Sequence, residues 1–271
     1  MVRKRILRWG RWIGAIYLLI GLLFYIFQDR LFFHPERVHP AGSYQIPYRH
    51  AELAITLNES DTLHLIDFAP DSNTSFRGIV LYFHGNRKHI GYYADQTPPM
   101  TKAGYRVLMI DYPGYGRSSG TLTEKKLYDW SEIVYRIAHK QVSADSILIY
   151  GKSLGTGVAT RLASIRSCKS LILETPYFDL PTVAARFMPI YPTHWLMNYQ
   201  FPLHEYLSLV KAPVFIFHGT DDEVIGLKQA LRLRALLKPN DQFLIVPGGT
   251  HNGLTRYVPV RKKLDSVWNT P

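Results

Sequence analysis

Short runs of strand composition, alternating with stretches of helical period, limit what this chain can fold into more than any other feature. The runs fall at 52–57, 62–68, 78–83 (GIVLYF), 105–110 (YRVLMI), 146–150 (SILIY), 170–173, 214–217 (VFIF) and 242–246 (QFLIV). Between the later ones, Leu127, Trp130, Ile133, Val134, Ile137 and Ala138 repeat at helical spacing, as do Val158, Ala159, Leu162 and Ala163. Strands that alternate with helices predict an α/β domain with a mostly parallel central sheet flanked by helices on both faces. The first two runs, separated only by residues 58–61, predict an antiparallel hairpin at one edge. The stretch from Pro176 to about Val210 breaks the alternation with Pro, Phe, Tyr, Trp and Met, and reads as a small cap insertion.

Upstream of this pattern, Trp12 to Gln28 (WIGAIYLLIGLLFYIFQ) carries no charge. As a helix these residues extend roughly 25 Å, just enough to cross a bilayer core. Arg3, Lys4, Arg5, Arg8 and Arg11 precede them, and Trp9, Trp12, Tyr25 and Phe27 stand at the two ends as interfacial anchors. The basic cluster predicts a single-pass protein with a cytoplasmic N-terminus and its main domain on the extracytoplasmic side. A cleaved signal peptide is disfavoured, because no small-x-small site follows in Gln28-Asp29-Arg30-Leu31-Phe32-Phe33. The expected organisation is therefore a basic stub and transmembrane anchor over 1–30, and a connector over 31–50 with Pro35, Pro40, Gly42 and Pro47. The α/β domain follows over 51–271, with its cap at about 176–210.

Hydrolysis by a serine needs a hydroxyl on a sharp strand-to-helix turn, a histidine to accept its proton, a carboxylate to orient that histidine, and N–H donors for the oxyanion. Two stretches fit G-x-S-x-G: Gly116-Arg117-Ser118-Ser119-Gly120 and Gly151-Lys152-Ser153-Leu154-Gly155. A chance match is expected roughly once in ten chains of this length at typical Gly and Ser frequencies, so context has to choose between them. Ser153 directly follows SILIYG and precedes the helical LGTGVATRLA, whereas Ser118 lies some seven residues past its strand, after Pro113, and reads as a turn. Downstream, strand VFIF leads into His218-Gly219-Thr220-Asp221-Asp222, and strand QFLIV into Gly248-Gly249-Thr250-His251-Asn252. The chain order is Ser, Asp, His, with Asp222 to orient His251 and His251 to take the Ser153 proton. The loop after GIVLYF, His84-Gly85-Asn86-Arg87, and the residue following Ser153 supply the backbone N–H groups of Asn86 and Leu154 as the expected oxyanion donors.

These residues resemble the α/β-hydrolase superfamily. Within it the chain is most similar to the membrane-associated branch of serine aminopeptidase-like hydrolases, which includes acyl-protein thioesterases that remove palmitate. The resemblance rests on FHGN (83–86), DYPGYGRSSG (111–120), YGKSLGTGVA (150–159), LETPY (173–177), HGTDDEVI (218–225) and GGTHN (248–252). The family pattern H-G-x-x-D selects Asp222 over Asp221. Where relatives often carry small residues after H-G-N, this chain has Arg87-Lys88-His89.

The expected activity is cleavage of an ester, thioester or amide through an acyl-Ser153 intermediate, on an acyl-containing small molecule, a lipid or an acylated protein. A membrane-tethered scaffold that retains the fold without catalysis is the rival reading. The net charge of +11 does not imply nucleic acid, since five of the cations precede the apolar stretch and no RNA- or DNA-binding motif is present. No metal-ligand spacing appears, and no cofactor is implied. Cys168 is the one cysteine, which precludes an intrachain disulfide. His84 and His218 read as loop braces rather than catalytic groups, Glu174 as a hydrogen-bonding residue within the loop after its strand with a catalytic role as the alternative, and Asp111 and Asp241 as rival acids in the wrong chain positions. Phe178, Phe187, Tyr191, Trp195 and Tyr199 of the cap either line an acyl pocket or pack the cap itself.

Overall fold

A computed structural model describes residues 2–39 and 42–270. Pro40, one of the turn residues expected in the connector, lies outside the described residues. Helix α1 runs unbroken over Val2–Phe32. Among the described residues it is the one helix long and apolar enough to cross a membrane by length and composition, with a mean hydropathy of 1.7 in its most apolar window. Most of its side chains are exposed, but Phe24 and Gln28 are buried against the domain.

The connector is anchored rather than loose. Strand β1 (His34–Pro35) pairs in parallel with a two-residue strand formed later in the chain, Arg87–Lys88, and the Tyr44 side chain is buried. The main sheet starts with β2 (His50–Thr56) and β3 (Thr62–Phe68), the antiparallel hairpin that the spacing predicts. Then come β4 (Gly78–Phe83), β5 (the Arg87–Lys88 strand), α2 (Ile90–Tyr93), α3 (Pro98–Lys102), β6 (Tyr105–Ile110), α4 (Glu124–His139), β7 (Ile147–Lys152), α5 (Leu154–Ile165) and β8 (Ser170–Glu174). The cap holds three short helices, α6 (Leu180–Ala185), α7 (Thr193–Leu196) and α8 (Leu203–Leu207). The domain closes with β9 (Val214–Gly219), α9 (Leu227–Leu233), β10 (Gln242–Val246) and α10 (Val258–Asn269).

The eight strands lie in the order β10-β9-β8-β7-β4-β6-β3-β2, parallel from β10 to β6 and antiparallel at β3 and β2. Strands β4, β7 and β8 are buried along their whole length, which is why their sequences run apolar without alternation. Their side chains still divide by parity. Ile79, Leu81, Ile149 and Leu173 face a core shared with Trp130 of α4 and Val158 of α5. Val80, Tyr82, Leu148 and Ile172 face a second core closed by Leu264 and Trp268 of α10. Helices on both faces leave the C-terminal ends of the parallel strands as the natural place for a site.

Candidate active site

Ser153 stands between β7 and α5 with φ 51° and ψ −119°. A non-glycine residue held there costs about 1–3 kcal/mol of backbone strain, and such strain persists only where the surroundings dictate it. Two contacts do so. The Ser153 N–H donates to the Glu174 carbonyl at 2.9 Å, and Gly155, one residue into the helix, is pressed against the end of β4. A Cβ at Gly155 would overlap the Phe83 carbonyl oxygen, so only glycine lets the helix start this close to the neighbouring strand.

This turn carries the Ser153 hydroxyl to His251. The distance from His251 Nε2 to Ser153 Oγ is 3.0 Å, and His251 Nδ1 lies 3.0 and 2.9 Å from the two Asp222 carboxylate oxygens. All three residues are buried. Asp222 Oδ1 also accepts the backbone N–H groups of Val224 and Ile225 at 3.0 and 2.8 Å. Burial pushes the Asp222 carboxyl upward, but its bonds to His251 and Ile225 and the nearby imidazoles outweigh that and hold it below the ordinary carboxylate range. Asp221, by contrast, is exposed and accepts from Thr220 Oγ1. The preference for Asp222 over its neighbour therefore matches the geometry.

Leu154 is the first residue of α5, so its N–H belongs to the unsatisfied first turn of that helix and sits beside the loop after β4. In that loop Gly85 lies between Tyr93 and Ser153: a Cβ there would be 2.8 Å from the Tyr93 hydroxyl and 3.5 Å from Ser153 Cβ. Asn86 is tied down at both polar ends. Its Nδ2 donates to the Phe32 carbonyl at the end of α1, and its carbonyl accepts from the His34 N–H and the Tyr115 hydroxyl. The loop beside the serine is thus braced by the N-terminal helix, a connection the sequence alone did not reveal.

The remaining candidates take structural positions. His84 is fully buried, stacks on Tyr112 at 4.1 Å, and hydrogen-bonds through Nδ1 with the Gly85 carbonyl; burial lowers its pKa to about 3, so it stays neutral. His218 contacts the Ile225 carbonyl and braces the acid loop. Asp111 accepts from the Tyr44 hydroxyl and, at 2.8 Å, from the Ile90 N–H, and burial pushes its carboxyl up to about 7. Asp241 accepts from the N–H groups of Val214 and Lys238. In the cap, Phe178 stacks on His204, Tyr199 packs on Phe33, and Tyr191 stacks on Tyr17 of α1, while Phe187 and Trp195 point outward. These five aromatics pack the cap or face away from the molecule rather than gathering at Ser153.

The reading of Glu174 as a loop hydrogen-bonder needs correction. It is the last residue of β8, directly across from Lys152 at the end of β7, and the two form a buried ion pair that also takes the Tyr150 hydroxyl at 2.7 Å. The same Glu174 backbone holds the Ser153 N–H. The signal was available: a Lys and a Glu each close an otherwise apolar strand. Only the sheet order, however, makes those strands neighbours.

Residues 74–206 match the family model described as serine aminopeptidase, S33. The chain is 31% identical over 193 residues to the alpha/beta hydrolase domain-containing protein aho-3 of Caenorhabditis elegans, covering 69% of this chain and 56% of that protein. It is 32% identical over 191 residues to alpha/beta hydrolase domain-containing protein 17C of Xenopus tropicalis, covering 69% and 60%. The chain belongs to the α/β-hydrolase superfamily. Solved α/β-hydrolase structures agree on the fold. An esterase of Pyrococcus furiosus superposes with a TM-score of 0.65 at 16% identity, over 87% of this chain and 96% of that one. A soluble variant of the monoglyceride lipase of Saccharomyces cerevisiae gives 0.62 at 15%, over 83% and 98%. The chain spans a little over half the length of these two curated relatives.

Proposed function

We propose that this α/β-hydrolase is a membrane-anchored serine hydrolase that cleaves an acyl ester or thioester, with Ser153, His251 and Asp222 as its catalytic triad. The observation that carries the reading is the continuous row from Ser153 Oγ through His251 to Asp222, with the serine on a strained turn. With its proton on Nδ1, shared with Asp222, the neutral imidazole leaves Nε2 free to accept the Ser153 proton. Oγ then attacks the acyl carbonyl, and the oxyanion forms against the backbone N–H groups of Asn86 and Leu154. His251 returns the proton to the leaving oxygen or sulfur as the carbon–heteroatom bond breaks, leaving an acyl-Ser153 ester. Water, activated by the same imidazole, releases the acid and restores the serine.

The length and apolarity of α1 support a single transmembrane span, and the preceding cations support a cytoplasmic N-terminus with the catalytic domain on the extracytoplasmic side. That location, with the branch of the superfamily the motifs resemble, favours substrates carried by the membrane: lipids or acylated proteins. In this organisation residues 1–30 anchor, 31–50 connect, and 51–271 catalyse beneath the cap. The test is labelling of the full chain with a fluorophosphonate probe. Wild type and Ser118→Ala are expected to take the label, and Ser153→Ala and His251→Ala to lose it. A folded wild type that takes none would overturn the assignment.

A further inference from the structure

The contact between α1 and the cap lies far along the helix. The Tyr17 and Tyr191 rings stack at 4.5 Å, the Tyr17 hydroxyl donates to the Ile190 carbonyl at 3.0 Å, and the Tyr191 hydroxyl donates to the Tyr17 carbonyl at 3.0 Å. Nearer the domain, buried Gln28 donates to the Leu196 carbonyl and accepts the Asn198 N–H. Tyr17 is eleven residues before Gln28, which at helical rise puts it roughly 16 Å deeper along the apolar stretch. If α1 crosses a bilayer over residues 12–28, Ile190 and Tyr191 lie past the middle of the hydrocarbon core, roughly two-thirds of the way across. Drawing the helix out until the cap cleared the membrane would put Leu18, Leu22 and Ile26, all well exposed, into water.

The cap segment at that depth presents mostly apolar side chains outward, with His194 as its exposed polar member. Trp195 is 89% exposed, Ile190 71% and Phe187 66%, an outward-facing patch that continues the apolar surface of α1. Over residues 187–196 the backbone N–H groups of Phe187, Met188, Tyr191, Thr193, Trp195 and Leu196 are satisfied internally, Pro189 and Pro192 have none to satisfy, and only those of Ile190 and His194 make no such bond among the described residues. That internal satisfaction is what non-helical chain needs where no water can serve it. Arg186, at the edge of the segment, turns its guanidinium back toward the Val224 carbonyl of the acid loop.

We infer that the cap tip, residues 187–195, is a lipid-binding element that enters the acyl-chain region of the same bilayer as α1 and holds the cap against the membrane. The inference rests on the reading of α1 as a membrane span and adds a second point of insertion. It orients the domain: the cap touches both α5, which begins directly after Ser153, and the loop of Asp222, so the candidate site is held close to the lipid surface. A substrate then reaches Ser153 from the leaflet rather than from bulk water.

The test uses the full chain with Cys168→Ala and one new thiol, Ile190→Cys or Trp195→Cys, labelled with an environment-sensitive fluorophore and reconstituted in phosphatidylcholine–phosphatidylglycerol vesicles. Asn240→Cys, in the loop before β10 at the opposite end of the strands, is the control. With lipids spin-labelled at mid-chain, both cap labels are expected to lose most of their fluorescence and the control to lose none. Unquenched cap labels on protein that resists an alkaline wash would overturn the inference while leaving the anchor intact. So would disulfide cross-linking of Ile190→Cys between two chains with no quenching, which would assign the patch to a second copy. Protein stripped from the vesicles by the wash would overturn the anchor reading and this inference with it.

Discussion

The two G-x-S-x-G stretches of this chain have the same letters, both follow a strand of the parallel part of the sheet, and both bury their serine, yet they are built for different work. At Ser118 the hydroxyl is already committed: it donates to the Asp111 carbonyl at 2.8 Å and accepts the His64 N–H at 2.9 Å, stitching the loop to β3. The glycines there serve a turn, Gly116 with φ 48° packed against the Asp111 carboxylate. At Ser153 the hydroxyl faces an imidazole, and Gly155 serves close approach of helix to strand. A serine motif reports local geometry; the group opposite the hydroxyl decides whether that geometry can do chemistry.

Exchanging the roles is the hardest test of the comparison. Ser153→Ala is expected to lower kcat on a chromogenic ester by roughly ten-thousand-fold or more, as removal of a triad nucleophile does, while Ser118→Ala stays within a few-fold of wild type. Equal losses in the two variants would dissolve the distinction. Support beneath the second motif is tested next. Lys152→Met leaves the buried Glu174 carboxyl without its ion-pair partner, and is expected to destabilise the chain by about 3–5 kcal/mol in urea unfolding of the detergent-solubilised protein. A variant as stable as wild type would show that the pair does not hold the turn.

A smaller effect is expected at the first motif. Ser118→Ala removes the acceptor of the His64 N–H, and a midpoint shift equivalent to about 1–3 kcal/mol should appear in the same unfolding measurement with activity kept. The last concerns Asp111, whose carbonyl holds Ser118. Its carboxyl has a folded pKa raised to about 7 by burial, so the folded state binds the proton more tightly than the unfolded state. The stability from this site is full below the ordinary carboxylate pKa near 4 and falls as pH rises toward 7. Thermal melts across that window should show this slope in wild type and lack it in Asp111→Asn; identical profiles would remove the site as its source.

Much of this was legible in the residues. Strand runs alternating with helical stretches announced a sheet covered on both faces, and the short 58–61 link announced the hairpin at the edge. The order Ser153, Asp222, His251, each after a late strand, picked out three side chains that do meet, because parallel strands deliver their following loops to one end of the sheet. The Lys152–Glu174 pair was missed because it depends on which strands are neighbours. The aromatic residues of the cap stayed ambiguous because a ring that packs and a ring that lines a pocket are spelled alike.

What the chain determined by itself is therefore its periodicity, its apolar N-terminal stretch and the chemistry available at each strand end, since these depend on residue type and spacing within a few turns. Tertiary structure alone decided that Lys152 pairs with Glu174, that Asn86 ties the loop beside Ser153 to the end of α1, and that Tyr17 clasps the cap deep along the helix. Those outcomes join residues 22 to 174 positions apart, and no local pattern encodes a contact whose existence depends on how the sheet is ordered and where the helix comes to rest.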